Sequence, residues 1–543
     1  MTSYKKNSVG LTVLKRGSII DILIGSKRSN RVRSDQMSTP IYKNTYTKKE
    51  RNMYLLGMLG QNMVYNIVGT GLDFYFRNVI FIPAMIVSTF MAIARVWDAI
   101  NDPMMGTIVD RTKTKWGKCR PYLIFCPAVI LVITILCFVN GQYSAQNNTT
   151  LQNALIVGWA AISYILWGMS YTVGDIPLWG ITSLMTDDEK DRSSILSLSR
   201  IAGGIGGGIV LICIIQLAQE IGKSLIPKVG DKNVSIQYGF IIVASIFAII
   251  GCGLFQLVGI FTRERVTSQS EKKNSIKDNF KLMWSNEPFR KVLISSVVRS
   301  PIMLLMGVAM PLLNYYFGDY GMKNYTLYLV VLGGAIFIAQ FAMSALVPKL
   351  CEKYEKKAVY NVSSVVSAVA FALIFVVYLL APTELEKPFW VAVNFVVFAG
   401  AGAGMGALNV MQSILIADAV DYEEYHHNVR PDGVFFSGQS FATKLSSGVA
   451  SIIQGIAYSI VGFSGDNMKA CNTALMEGAS FKNDFSKYAL VMFFLCSIPP
   501  AIGLLLSIIP MKKYPLTNED NKNILSALIS RRHNTSETAE VSE

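Results

Sequence analysis

The chain has 543 residues, of which 52% are hydrophobic and only 16% charged, with a formal net charge of +14. At that length a soluble protein would form several domains with polar surfaces, and this balance excludes that class in favour of a chain solvated by lipid. Residues 1–52 come first and are polar and rich in Lys and Arg, without the apolar core of a targeting peptide, so they read as a disordered cytoplasmic tail. Apolar segments then recur, each near the ~20 residues that cross a ~30 Å hydrocarbon core. Twelve are expected, at 53–80, 84–109, 121–141, 151–184, 195–218, 237–262, 291–317, 325–349, 357–381, 388–416, 435–463 and 487–512. The long spans beginning at 151 and 388 must tilt or extend past the bilayer. The polar stretch 515–543 reads as a second disordered cytoplasmic tail.

Lys and Arg are retained on the cytoplasmic face, so their distribution sets orientation. Placing both termini inside puts about three quarters of the 50 Lys and Arg residues in cytoplasmic segments. The loop DRTKTKWGKCR (Asp110 to Arg120) contrasts with the next one, NGQYSAQNNTT (Asn140 to Thr150), which carries no charge. The positive excess is therefore topological, the expected location is a cell membrane, and nucleic-acid binding is an unnecessary reading. The eight cysteines form no CxxC pair, so neither a disulfide framework nor a zinc site is expected.

The basic linker 263–290 divides the spans into an N-terminal bundle, 53–262, and a C-terminal bundle, 291–514. The two look related. GTIVDRTKTKWGK (Gly106 to Lys118) corresponds in place to SALVPKLCEKYEKK (Ser344 to Lys357), and MTDDEKDR (Met185 to Arg192) to ADAVDYEEYHHNVR (Ala417 to Arg430). Paired six-helix halves with a binding path between them are a transporter architecture. Glycine runs at Gly203–Gly208 and Gly400–Gly406 carry small-xxx-small spacings suited to close helix packing. No GxxxxGK[ST] occurs, which leaves ATP hydrolysis unsupported, and no soluble domain or catalytic constellation points to an enzyme or a sensor.

Ionisable groups at mid-bilayer cost at least ~2.5–3.5 kcal/mol and normally face a cavity or a partner. The second span carries Arg95, Asp98, Asn101 and Asp102, with the two carboxylates four apart on one helical face and Asn101 beside them. Their mutual repulsion calls for a bound cation or proton, and oxygen ligands suit a hard ion such as sodium. The fourth span adds Thr172 and Asp175, with Trp179 a turn further on. A carboxylate accepts hydroxyl hydrogen bonds and an indole covers the apolar face of a sugar ring, so a cation site beside a sugar site is expected. The competing reading is an ion-pair network with Arg95 and Arg200 that locks helices together. Lys444 in the eleventh span offers a donor from the second half, where Ile336 and Gln340 stand in the places of Asp98 and Asp102. Arg299 in the seventh span lies near the cytoplasmic end and reads as a snorkelling side chain, its other reading being a contact with an acidic substrate.

Three segments carry a more specific signal. ARVWDAINDPMMGTIVDRTKTKWGKCRPYLIF (Ala94 to Phe125), YILWGMSYTVGDIPLWGITSLMTDDEKDR (Tyr164 to Arg192) and IADAVDYEEYHHNVRPDGVFFSGQSFATK (Ile416 to Lys444) resemble, in order, motifs of the glycoside-pentoside-hexuronide cation symporter family. The resemblance implies an all-α major facilitator fold and symport by alternating access. It also implies that Asp98, Asn101, Asp102 and Thr172 bind the cation. Asp175, Trp179, Arg200, Ser440 and Lys444 would contact sugar. Gln61 and Asn62 stand where the family has a Lys-Asp pair, so Asn62 is expected to meet hydroxyls through an amide, without a charge-assisted bond.

The expected function is thus symport of a sugar, glycoside or oligosaccharide with sodium or a proton, with no other cofactor and with the lipid bilayer as surroundings. The alternatives are a non-sugar cargo on the same fold, such as a lysolipid or a sugar acid, and, less favoured, a membrane sensor.

Overall fold

A computed structural model describes residues 45–186, 189–265, 276–427 and 432–540. Most of the expected tail 1–52 lies outside them, and the rest of the chain forms one unit. The protein is all-helical. A capping box, with Thr47 accepting from the Glu50 amide at 3.3 Å and Glu50 from the Thr47 amide at 2.7 Å, starts α1 (Lys48–Asn66). A π-turn at Ile67–Leu72 leads into α2 (Asp73–Asn78), so the first rod is interrupted where Gly69 and Gly71 fall. Next come α3 (Ala84–Arg111), α4 (Arg120–Phe138), α5 (Thr150–Gly180), the single turn α6 (Thr182–Met185), α7 (Glu189–Val229) and α8 (Lys232–Phe261).

The linker holds α9 (Ile276–Ser285). The seventh rod begins with α10 (Glu287–Val298), breaks at Arg299, and continues through a 3₁₀ turn, Ser300–Met303, into α11 (Leu304–Leu312) and a π-turn, Leu313–Phe317. Pro301, which has no amide hydrogen to give, sits in that break. The eighth rod is α12 (Thr326–Tyr328), a π-turn and α13 (Gly334–Lys353). Then follow α14 (Lys356–Leu380), α15 (Pro388–His427), α16 (Asp432–Val461), α17 (Gly465–Met476), α18 (Phe481–Asp484), α19 (Ser486–Lys512) and α20 (Asn518–Glu540).

Each expected span coincides with one of these rods. Nine of the described helices are long and apolar enough to cross a membrane, or ten if α16 and α17, bent by 74° at their junction, count as one. The first two rods are not among these: α1 opens on Lys48, Lys49, Glu50 and Arg51 and gives way to the π-turn after 19 residues, and α3 carries Arg95, Asp98, Asn101 and Asp102. The 31 residues of α5 and 40 of α15 bear out the expectation that these spans outrun the bilayer.

The glycine runs act where backbones meet. A methyl group at Gly206 would overlap the Leu59 carbonyl of α1, and one at Gly406 would overlap the Gln340 carbonyl of α13. Each half thereby packs backbone against backbone.

The two halves are joined by the packing of α3 against α16 and by a hydrogen-bond cluster at the end of the bundle away from the chain termini. There the Asn78 amide donates to the Tyr315 hydroxyl at 3.0 Å, that hydroxyl donates to Asn472 at 2.7 Å, and the Asn472 amide donates to the Asn78 carbonyl at 2.8 Å. Asn314 and Gln219 exchange amide hydrogen bonds of 2.7 and 3.3 Å. All these groups are buried, which seals that end.

At the other end the tail after Tyr514 differs from its disordered reading. It is helical as α20, and Asn518 fixes its start by donating to the Cys351 and Tyr354 carbonyls at 3.2 and 3.0 Å. Polarity hid a helix that docks through hydrogen bonds to carbonyls at the end of α13 and through two buried apolar side chains, Ile524 and Leu528.

Candidate functional site

The second rod, α3, supplies the carboxylates. Thr172 on α5 donates to Asp102 at 3.3 Å, so the cation residues expected from two separate spans do meet. Asp98 lies 3.8 Å from Arg95, one turn earlier on the same helix, and its carboxylate also abuts Gly168 of α5. The Asn101 amide nitrogen is buried and has no hydrogen-bond partner among the described residues. Turning that amide end for end would put an acceptor oxygen in its place, beside two carboxylates.

Lys444 lies beside the carboxylates of α3. Its ammonium, carried by α16 of the second half, ion-pairs with Asp102. It therefore stands among the cation residues, where an ammonium supplies the positive charge that two neighbouring carboxylates require.

Asp175 organises a second group. It accepts from the Gln61 amide at 2.7 Å and from the Trp179 indole at 3.2 Å, and Gln61 also hydrogen-bonds the Tyr171 hydroxyl. Tyr171, Asp175 and Trp179 are each four apart, so one face of α5 presents all three. Tyr171 stacks on Trp167 with ring centroids 4.8 Å apart. Asn62 reaches this group only through Gln61, donating to its amide oxygen at 2.6 Å. Trp179 remains 37% exposed, an indole face open to a ligand. The two groups are close enough that Asp102 and Lys444 act electrostatically on Asp175.

Arg200 does not join either group. It is exposed on α7 and lines a cavity of about 780 Å³ whose other walls come from the second half. The locking network read for Arg95 and Arg200 is thus present only at Arg95. The side chain of Ser440, on α16, falls outside the described residues. Ser451, further along α16, bridges the halves by accepting at its hydroxyl from Arg77 at 3.4 Å, while its carbonyl accepts from Ser88.

Arg299 corrects its snorkelling reading. It is 6% exposed, lines the same cavity as Arg200, and hydrogen-bonds Gln412 of α15. Gln340, the positional counterpart of Asp102, also lines it. Gln61, Tyr171, Arg299 and Gln412 were not among the expected site residues. The signal for Gln412 was present in the polar set Asn409, Gln412, Ser413, which recurs at helical spacing within an apolar run.

Known proteins match most of the chain. Residues 53–518 match a family described as MFS/sugar transport protein. An isoprimeverose transporter of Lactiplantibacillus pentosus is 28% identical over 430 residues, 79% of this chain and 83% of its own length. A putative glycoside/cation symporter of Escherichia coli, YagG, is 24% identical, with 77% and 84% covered, and a glucuronide carrier protein homolog of the same organism is 24% identical, with 88% and 95% covered. Among solved structures, a bacterial homolog of the human lysosomal transporter Spinster, inward-facing and unoccupied, is similar with a TM-score of 0.57 at 11% identity, over 87% of this chain and 100% of that one. At that identity the likeness shows the fold alone.

Proposed function

Because the chain belongs to the MFS/sugar transport protein family, as its glycoside-pentoside-hexuronide motifs imply, we propose that it carries a sugar or glycoside into the cell together with sodium or a proton. In this reading it lies in the cell membrane with both termini in the cytoplasm. The observation that carries the coupling is the ion pair between Asp102 and Lys444, made across the two halves and within electrostatic reach of Asp175. A cation entering at Asp98, Asn101, Asp102 and Thr172 competes with the ammonium for Asp102. Lys444 is then released from the first half, and the field around Asp175, Gln61 and Trp179, where sugar hydroxyls bind, changes with it. Occupancy of one site alters the other through a shared charge.

The cargo reading is supported by polar walls. An apolar pocket lined by Leu305, Met306 and Phe398 among others has only about 80 Å³, too little for the acyl chain of a lysolipid. The driving force is adequate, since a potential of ~100 mV contributes ~2.3 kcal/mol per cation and a tenfold ion gradient ~1.4, enough for accumulation of a few hundred-fold.

Uptake into proteoliposomes, with sodium and proton gradients imposed separately, tests this. Accumulation of a sugar above its external concentration under one gradient is expected. Uptake that only equilibrates under either gradient refutes coupling, and no uptake of any sugar refutes the cargo.

A further inference from the structure

The seam between the halves is formed by α3 and α16, which run antiparallel: Asp102 meets Lys444 toward one end and Ser88 meets Ser451 toward the other. Ser88, Arg95 and Asp102 are seven apart on α3, as are Lys444 and Ser451 on α16, so each helix turns one polar stripe to the seam. Arg95 comes between the two meetings, beside Gly448 of α16. The end away from the cation residues is held by Arg77. It is 1% exposed and donates to Asp73 at 2.7 Å, to the Ala84 carbonyl at 3.0 Å, and to the hydroxyls of Ser88 and Ser451 at 3.1 and 3.4 Å, the last across the halves. A guanidinium this deep depends on its carboxylate, and Asp73 is the one it has among the described residues.

Asp73 faces two ways. Its Oδ1 takes the Arg77 bond, and its other oxygen accepts no hydrogen bond among the described residues. The side chain also lines a cavity of about 420 Å³, in which it is the only carboxylate and Arg95 the only cation among the described residues. The Tyr164 hydroxyl, in the same wall, is within electrostatic reach of Arg95, Asp98 and Asp73 alike. Arg95 and Asp98, 3.8 Å apart, form a looser pair than Arg77 and Asp73 at 2.7 Å. At the longer distance charge attraction remains without a hydrogen bond, so this is the pair that breaks most readily.

We propose that Asp73 is a second acceptor for Arg95 and thereby passes cation occupancy to the sealed end of the bundle. The inference rests on the cation-coupling reading and extends it to residues outside both candidate sites. A cation held by Asp98 and Asp102 supplies the charge that Arg95 gives to Asp98, and the displaced guanidinium turns within the cavity to the second oxygen of Asp73. Asp73 then shares its charge between two guanidiniums. Arg77 loosens, and its bond to Ser451 of the other half weakens with it. Asp73 is a positioning residue that acts through Arg95 and Arg77 and binds neither cation nor sugar. The coupling runs both ways, so a sealed end already loosened favours the cation.

The purified full chain tests this without a sugar. Melting temperature reads cation binding, and amide hydrogen exchange over 74–83 and 314–321 reads the sealed end. Sodium chloride replaces choline chloride at constant ionic strength, and in a second series pH is lowered, with rates corrected for the intrinsic effect of pH on exchange. One of the two cations should raise the wild-type melting temperature and speed exchange at the sealed end at least about threefold. Asp73→Asn should keep the thermal shift and lose the change in exchange, and Asp73→Glu should recover part of that change. Arg95→Gln leaves Arg77 its carboxylate and should lose the change as well, which keeps the relay testable if Asp73→Asn does not fold. An exchange response that survives in Arg95→Gln or in folded Asp73→Asn, or a wild-type thermal shift with no exchange response, overturns the relay and leaves cation coupling standing. Neither a thermal shift nor an exchange response under either cation overturns both readings.

Discussion

The Lys444 ammonium on α16 ion-pairs with the Asp102 carboxylate on α3, 342 residues away in the chain and in the opposite half of the bundle. Removing one partner strands the other. The side chains are 24% and 31% exposed, so Asp102→Asn or Lys444→Met should each cost about 1–3 kcal/mol, below the ~3–5 of a fully buried pair. The double variant should be more stable than additivity predicts, by at least about 0.5 kcal/mol. Thermal unfolding in detergent reads this, and strict additivity would mean that the pair is incidental.

Transport by the carboxylate variants is a separate matter. Asp98→Asn and Asp102→Asn should each abolish gradient-driven accumulation while the protein still inserts and binds sugar. Concentrative uptake at the wild-type level by both would remove the cation site from α3.

Ion choice turns on Asn101 and Thr172. A proton needs one carboxylate oxygen, whereas sodium needs several ligands at once, so the amide matters far more for sodium. Asn101→Ala should eliminate sodium stimulation and leave proton-driven uptake intact. Wild-type uptake at fixed pH that is indifferent to sodium from zero to tens of millimolar would make the carboxylate-borne proton the coupling ion.

Asp175 accepts two hydrogen bonds that hold Gln61 and Trp179 in place, so Asp175→Ala loses a ligand for hydroxyls and also disperses its neighbours. With each charge-assisted bond worth roughly 1.5–3 kcal/mol, sugar affinity should fall at least tenfold. An unchanged isotherm would put the sugar elsewhere.

Acid should weaken the end of the bundle from which α1 starts. Burial works to raise the Glu50 carboxyl, but hydrogen bonds and charge from Arg265, at 2.8 and 2.9 Å, and the contacts to Thr47 outweigh it and hold the group below its usual 4.5. A depressed carboxyl contributes stability that is complete above 4.5 and is lost as pH falls through its folded value. The contribution is about 1–2 kcal/mol for this partly exposed pair. The gap in melting temperature between wild type and Glu50→Gln should therefore narrow as pH drops from 6 toward 3. A gap that stays constant over that range would assign the loss to shape and not to charge.

Much of this was legible because membranes impose simple rules. Apolar length places the rods, and i, i+4 spacing puts Asp98 and Asp102 on one face and Asp175 with Trp179 on another. What the chain order concealed were meetings between distant segments. That Lys444 reaches a cation residue, and that Arg299 turns inward at a helix break, depend on the packing of α3 against α16 and of α10 against α15. The docked α20 was hidden for a different reason, since Asn518 binds carbonyls that no hydropathy pattern reveals.

The junction of α16 and α17 has one more implication. Gly462 and Gly465 occupy left-handed backbone positions, φ +76° and +57°, and turn the chain through the 74° elbow that lays α17 and its Asn472 across the sealed end. The rod on one side of that elbow carries Lys444. Both ends of the crossing are thus mounted on a single crank: any tilt of α16 would swing the arm beyond the elbow or strain its hold on Asn78.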